Sequence, residues 1–178
     1  MTGSLLTLSL TRRKADAMAD SFLKQRALEL WNEGCEHHQR SDLDRAIELY
    51  TKSIEMFPTA EAYTFRGWAY QGQGKLDAAI GECKRAIEVD PTFGNPYNDI
   101  GAYLIEKGEL DAAIDWLERA KKAERYEPKH FPFMNLGRVY ALKGMVRKAI
   151  EEFEGALRFA PEDPACSSAL AQLRGLLN

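Results

Sequence analysis

From about Ser21 onward the apolar residues fall at mixed spacings of three and four. Phe22, Leu23, Leu28, Leu30 and Trp31 set the pattern of a first helix running to near His38. Ser41 and Asp42 offer an N-cap for a second helix that ends before Pro58. Thr59 caps a third, which Gly72 and Gly74 break, and Lys75 to Val89 forms a fourth, stopped by Asp90-Pro91. Asn95-Pro96 sets a capping residue before a proline, a favourable helix start, and Asp163-Pro164 repeats the device before the last element. In that last element Leu170, Leu173 and Leu177 share one face, while Ser167, Arg174 and Asn178 lie elsewhere. Strand-like alternation occurs nowhere, so the chain reads as all-α.

The same skeleton recurs four times. Tyr63, Gly67, Tyr70, Ala79, Cys83 and Pro91 in one copy answer to Leu30, Gly34, His37, Ala46, Tyr50 and Pro58 upstream. Downstream stand Tyr97, Gly101, Leu104, Ala113 and Leu117, then Phe133, Gly137, Tyr140, Ala149, Phe153 and Pro161. The glycines at 34, 67, 101 and 137 are separated by 33, 34 and 36 residues, and the alanines keep the same spacings. A mid-helix glycine costs about 1 kcal/mol relative to alanine, which close approach of two helices justifies. Gly74, Gly108 and Gly144 share one inter-helix turn position, held in the first copy by Ser41. The two extra residues near Ala123–Pro128 predict a longer helix after Gly108.

This pattern resembles the tetratricopeptide repeat (TPR) family, whose period is about 34 residues, over residues 27 to 161. Arg66 and Glu33 stand where Leu is usual, His37 and Leu104 replace Tyr, and Pro128 comes late in the third copy. The resemblance implies four antiparallel helix pairs and a C-terminal capping helix in a right-handed superhelix. The expected division is a flexible arm over 1–20 and a TPR domain over 21–178. Its repeats lie at about 27–59, 60–93, 94–129 and 130–163, with a capping helix near 164–177.

In such a family the face of each first helix turned away from its partner lines a concave groove that binds peptides. Here that stripe carries Trp31, Asn32, Phe65, Trp68, Asn98, Asp99, Asn135 and Arg138, the candidate partner-binding residues. Aromatic residues and Arg are enriched at interaction sites, whereas a merely solvated face is mostly charged. Trp31, Phe65 and Trp68 form an aromatic half suited to an apolar or aromatic side chain, and the other residues form a polar half. TPR domains that clamp acidic tails of heat-shock chaperones place a lysine and asparagines on this face. The corresponding places hold Trp31, Cys35 and Phe65, with Asn95, Asn98 and Asp99 on the third helix, so an acidic tail is not expected.

Composition narrows the rest. A net charge of −3 over 178 residues gives no basic stripe for nucleic acid. The apolar run Leu5–Leu10 is too short to insert in a membrane, and its positive charges, Arg12 to Lys14, follow it where a secretory signal has them first. Three cysteines with no short spacing make no disulfide framework, and the expected location is cytoplasmic. Cys35 and His38 share a helix face, but zinc needs three or four ligands and no third is suggested. Neither a catalytic motif nor a cofactor fingerprint is present, so no enzyme, metal or cofactor is expected. The expected function is a protein-interaction module with a protein or peptide partner. A self-assembling subunit or a regulatory subunit of an enzyme complex is the competing reading, and the oligomeric state is open.

Overall fold

The computed structural model describes residues 3–177, with side chains from Asp16 onward. Among these residues nine helices follow one another: α1 (Gly3–Gln39), α2 (Leu43–Met56), α3 (Ala60–Gly72), α4 (Leu76–Val89), α5 (Asn95–Glu106), α6 (Leu110–Lys122), α7 (His130–Leu142), α8 (Val146–Leu157) and α9 (Pro164–Gly175). Each odd-numbered helix through α7 packs on the helix after it, and each pair stacks on the next. The first helices also meet directly, α1 with α3, α3 with α5 and α5 with α7. That is the expected solenoid of four pairs closed by a single helix. Leu170 and Leu173 of α9 are buried as expected, but Leu177 lies beyond the helix end and is 53% exposed.

Small residues set the spacing within a pair. A Cβ placed on Gly34 would stand 2.6 Å from the Tyr50 ring, one on Gly101 2.5 Å from Leu117, and one on Gly137 2.8 Å from Phe153. Ala46, Ala79, Ala113 and Ala149 are fully buried beside these contacts. The repeated large residue of the second helix therefore sits directly on the repeated glycine of the first, which explains why both recur in register.

The inter-helix turns share one geometry. Gly74, Gly108 and Gly144 have φ of 75°, 77° and 71°, and Ser41 adopts φ 61° at the same place. Each donates its backbone N–H three residues back, Ser41 to His38 O and Gly74 to Gln71 O. A residue with a Cβ is strained in this left-handed region and glycine is not. Ser41→Gly should therefore stabilise the chain by about 0.5–1 kcal/mol. Thermal melting checks this, and an unchanged or lower midpoint would show that the turn carries no strain.

Three local expectations are corrected. First, α1 begins at Gly3, not near Ser21. No Gly or Pro interrupts Ser4 to Glu33, and Leu, Arg, Lys and Ala favour a helix. Residues 16–26 are all exposed, so α1 runs out ahead of the packed body, whose first buried residue is Ala27. The run Leu5–Leu10 falls where side chains lie outside the described ones. Second, Thr59 and Asp163 cap as expected, accepting from Ala62 N and Cys166 N, but Asp42 and Asn95 do not. The Asp42 carboxylate faces His37 Nδ1 at 2.9 Å instead, and Asn95 is already the first helical residue, preceded by Gly94.

Third, α6 is not lengthened; it stops at Lys122 and the extra residues form a loop. Pro128 disfavours helix at the residue before it. Arg125 then pairs its backbone with the preceding loop, donating to Thr92 O at 3.0 Å and accepting from Gly94 N at 2.9 Å. Its guanidinium reaches Asp90 and Glu61, both at 2.7 Å, and Tyr126 buries its ring against Gly94. These interactions join the loops of successive repeats, which two more residues of α6 would not.

Candidate functional site

The concave face is the row of first helices. On α1 and α3, Trp31 meets Phe65 edge-on with ring centroids 4.9 Å apart, and Phe65 meets Trp68 at 4.4 Å. All three rings are half-buried, so each keeps some surface toward solvent. Tyr50 of α2 supports Phe65 from behind at 6.1 Å. That buried tyrosine was not among the candidate residues, because its place in the repeat reads as core. Asn32 is exposed, one residue along from Trp31.

The Trp68 indole leads from the aromatic half to the polar half. Its Nε1–H donates to Asp99 Oδ2 at 2.6 Å, tying α3 to α5. Asn135 Nδ2 donates to Asn98 Oδ1 at 3.0 Å, tying α5 to α7. Arg138 Nη1 donates to Asn135 Oδ1 at 3.3 Å and remains exposed. Seven of the eight candidate residues thus lie in two linked sets along one face, with Asn32 beside them. Asn98 and Asn135, however, are 8% and 9% exposed and satisfy each other. They clamp adjacent repeats, leaving the exposed polar functions to Arg138 and the half-buried Asp99.

An apolar cleft of about 420 Å³ extends the face past Arg138, lined by Ala141, Leu142, Leu173 and Leu176 among others. Leu142 and Leu176 are 65% and 72% exposed. Leu142 was visible on the stripe, but the contribution of α9 was not, since its apolar residues read as a face for stacking.

Burial raises the Asp99 carboxyl to about 7, against the pull of hydrogen bonds from Trp68 and Asn98. Burial likewise raises the Cys35 thiol and the Tyr50 hydroxyl and lowers His38. His38 Nδ1 lies 3.3 Å from Tyr50 Oη, so its polar contact is with the core tyrosine. Among the described residues, no three His, Cys, Asp or Glu side chains converge as metal ligands, and no helix is long and apolar enough to cross a membrane.

The raised Asp99 has a consequence for stability. An unfolded aspartate titrates near 4, so between about pH 4 and 7 the folded chain holds a proton the unfolded chain has lost. Stability through this group therefore falls as pH rises across that window. Asp99→Asn should raise stability at pH 8 by roughly 1–2 kcal/mol, after allowance for partial exposure, and change it little at pH 4. Urea melts of both proteins at the two pH values measure this; equal differences at both would show that Asp99 titrates normally.

Comparison with known proteins reaches the same architecture. A tetratricopeptide repeat model matches residues 60–93, and a second model of that repeat matches 95–126 and 133–163. The small glutamine-rich tetratricopeptide repeat-containing protein 2 of Mycosarcoma maydis is 31% identical over 100 residues, 56% of this chain and 28% of its own length. Heat shock protein STI1 of Saccharomyces cerevisiae is 34% identical over 74 residues, 40% of this chain and 13% of its own. The type IV pilus assembly protein PilF of Pseudomonas aeruginosa is 26% identical over 141 residues, 79% of this chain and 56% of its own. A solved PilF structure superposes with a TM-score of 0.79 at 24% identity, covering 85% of this chain and 68% of that one. The chain therefore spans between about an eighth and just over half of the length of these curated relatives.

Proposed function

We propose, for a chain that belongs to the tetratricopeptide repeat family, that its concave face receives a peptide or helix from a partner protein. The family and its relatives support the general role, a protein-interaction module. The observation that carries the finer reading is the run of half-buried rings from Trp31 to Trp68, continued by Asp99 and Arg138 on successive first helices. A face of this kind offers a few rigid aromatic anchors with polar groups beside them, the composition that concentrates binding energy. Trp31, Phe65 and Trp68 would anchor the partner, Asn32, Asp99 and Arg138 would orient it, and Asn98 and Asn135 would hold the repeats in register.

Heat-shock relatives do not make an acidic tail the favoured ligand. The aromatic half presents a carboxylate and no cation, and the stripe's one arginine lies at its far end. Selection of displayed random 12-residue peptides on the full chain tests the proposal. Peptides should be recovered whose binding weakens with Trp68→Ala or Arg138→Ala. Recovery only of peptides indifferent to both substitutions would place the interaction surface elsewhere.

A second reading, self-association, rests on the outward run of α1. Met18 and Phe22 are 75% and 70% exposed there, with Leu28 49% exposed nearer the body. Light scattering of the chain with and without residues 1–26 separates the two readings, since only self-association requires the outward run with Met18 and Phe22.

A further inference from the structure

Asp99 stands at the floor of the groove with no cation among its partners. Its neighbours are the Trp68 indole, which donates to it, and the Asn98 amide. A carboxylate in this position is poorly solvated and unpaired, an arrangement that a buried charge tolerates only at a cost. The stripe's one arginine, Arg138, is two first-helix contacts away from Trp68 and turned to Asn135. Glu61, at the other side, is already paired with Arg125.

The rings beside Asp99 are also uncovered. Elsewhere the chain lays its own cations over its aromatic faces: Arg119 over Tyr97 and Trp116, Lys121 over Phe133, Arg125 over Phe93 and Arg66 over Tyr63. Among the described residues no cation lies over Trp31, Phe65 or Trp68. An aromatic face attracts a cation through its quadrupole, most strongly when the pair is shielded from water. A carboxylate hydrogen-bonded to the edge of the same indole supplies the counter-charge.

We infer that the aromatic half of the groove takes a cationic side chain of the partner peptide, an arginine or a lysine, its charge on Asp99 and its stem along Phe65 and Trp68. Arginine is the better fit, because its planar fork stacks on rings and pairs with a carboxylate in one pose. The sequence pattern alone suggests an apolar or aromatic occupant. An arginine satisfies that expectation with its aliphatic stem while answering the charge that the rings border. The inference rests on the groove reading above and adds the chemistry of the residue bound.

Its signature is pH dependence of a defined sign. A cation beside Asp99 favours the ionised carboxylate, so binding draws on the ionised fraction and strengthens as pH rises through 7. The titratable groups facing Asp99 are Cys83 of α4, Tyr103 of its own helix and Tyr126 of the loop before α7. Burial raises Cys83, Tyr103 and Tyr126 further still, so these three stay neutral near pH 7.

The probe is N-acetyl-argininamide, with N-acetyl-citrullinamide as its neutral isostere, titrated into the full chain while the Trp68 indole N–H resonance is followed. The arginine compound should shift that resonance and bind about tenfold more tightly at pH 8 than at pH 6, the ratio of ionised fractions for a group titrating near 7. Asp99→Asn keeps the side-chain shape and should abolish both the binding and its pH dependence. Equal binding of the citrulline compound, or binding that survives Asp99→Asn, overturns the inference. The displayed peptides distinguish its failure from that of the groove reading. Selected peptides that lose binding with Trp68→Ala, yet carry no basic residue and ignore Asp99→Asn, sink the cation and leave the groove. Peptides that ignore every stripe substitution sink both.

Discussion

Glu82→Ala is expected to destabilise the protein by about 3–5 kcal/mol, a fall in melting temperature of roughly 10 °C or more for a chain this long. Glu82 accepts from Arg66 twice, Nε at 2.9 Å and Nη2 at 2.7 Å, and from Arg85 Nη1 at 2.6 Å. The Arg66 and Glu82 side chains are only 10% and 6% exposed. Removing the carboxylate leaves the Arg66 guanidinium buried between α3 and α4, with Thr51 Oγ1 at 2.9 Å as its remaining side-chain acceptor. An uncompensated buried charge costs far more than the pair contributes when intact.

The same argument predicts a rescue. The place of Arg66 in the third and fourth repeats is held by Ile100 and Leu136, both essentially fully buried, and that of Glu82 in the first repeat by Leu49. Replacing both charges, Arg66→Leu with Glu82→Leu, should recover most of the lost stability, since a well-packed apolar pair substitutes for a buried ion pair at little cost. Denaturant melts of the single and double variants measure the coupling. A double variant as unstable as Glu82→Ala would mean that this site has diverged from the apolar packing of its counterparts.

What the sequence made legible is what repeats. Four glycines and four alanines recur in register, and in three of the four pairs a large residue of the second helix sits on the glycine, Gly34 on Tyr50, Gly101 on Leu117 and Gly137 on Phe153, while the smaller Cys83 stands there in the second. The turn glycines were equally plain, and Ser41 shows that the turn geometry outlasts the loss of its preferred residue. The candidate stripe was also readable, since helical period alone puts Trp31, Phe65, Trp68, Asp99 and Arg138 on one face.

Pairings between repeats were not readable. Asn135 and Asn98 are 37 positions apart, and nothing local to either says that it satisfies the other. Arg66 was visible as a departure from the usual Leu, but Glu82, 16 positions on, looked like any surface glutamate of an amphipathic helix. The lengthened α6 failed for a different reason. Spacing counted two extra residues but could not say that Arg125 and Tyr126 had contacts with the preceding loop that a longer helix would forfeit.

Trp68→Ala brings the packing and binding roles of one ring into a single measurement. The ring packs against the central core as well as on Phe65, and its indole N–H joins α3 to Asp99 of α5. Truncation should therefore destabilise the protein by about 2–3 kcal/mol, somewhat less than for a fully buried aromatic, and lower the melting temperature by several degrees. Below that temperature the folded variant should bind a selected groove peptide about thirtyfold more weakly, a loss of about 2 kcal/mol. Trp68→Phe separates the contributions, because it keeps most of the ring contact and removes the donor to Asp99. It should recover part of the stability. If an arginine of the peptide lies between the ring and Asp99, Trp68→Phe should also retain much of the binding, since a phenyl face still attracts a cation. A folded Trp68→Ala protein that binds such peptides as tightly as the wild type would restrict the ring to holding repeats together and remove it from the groove.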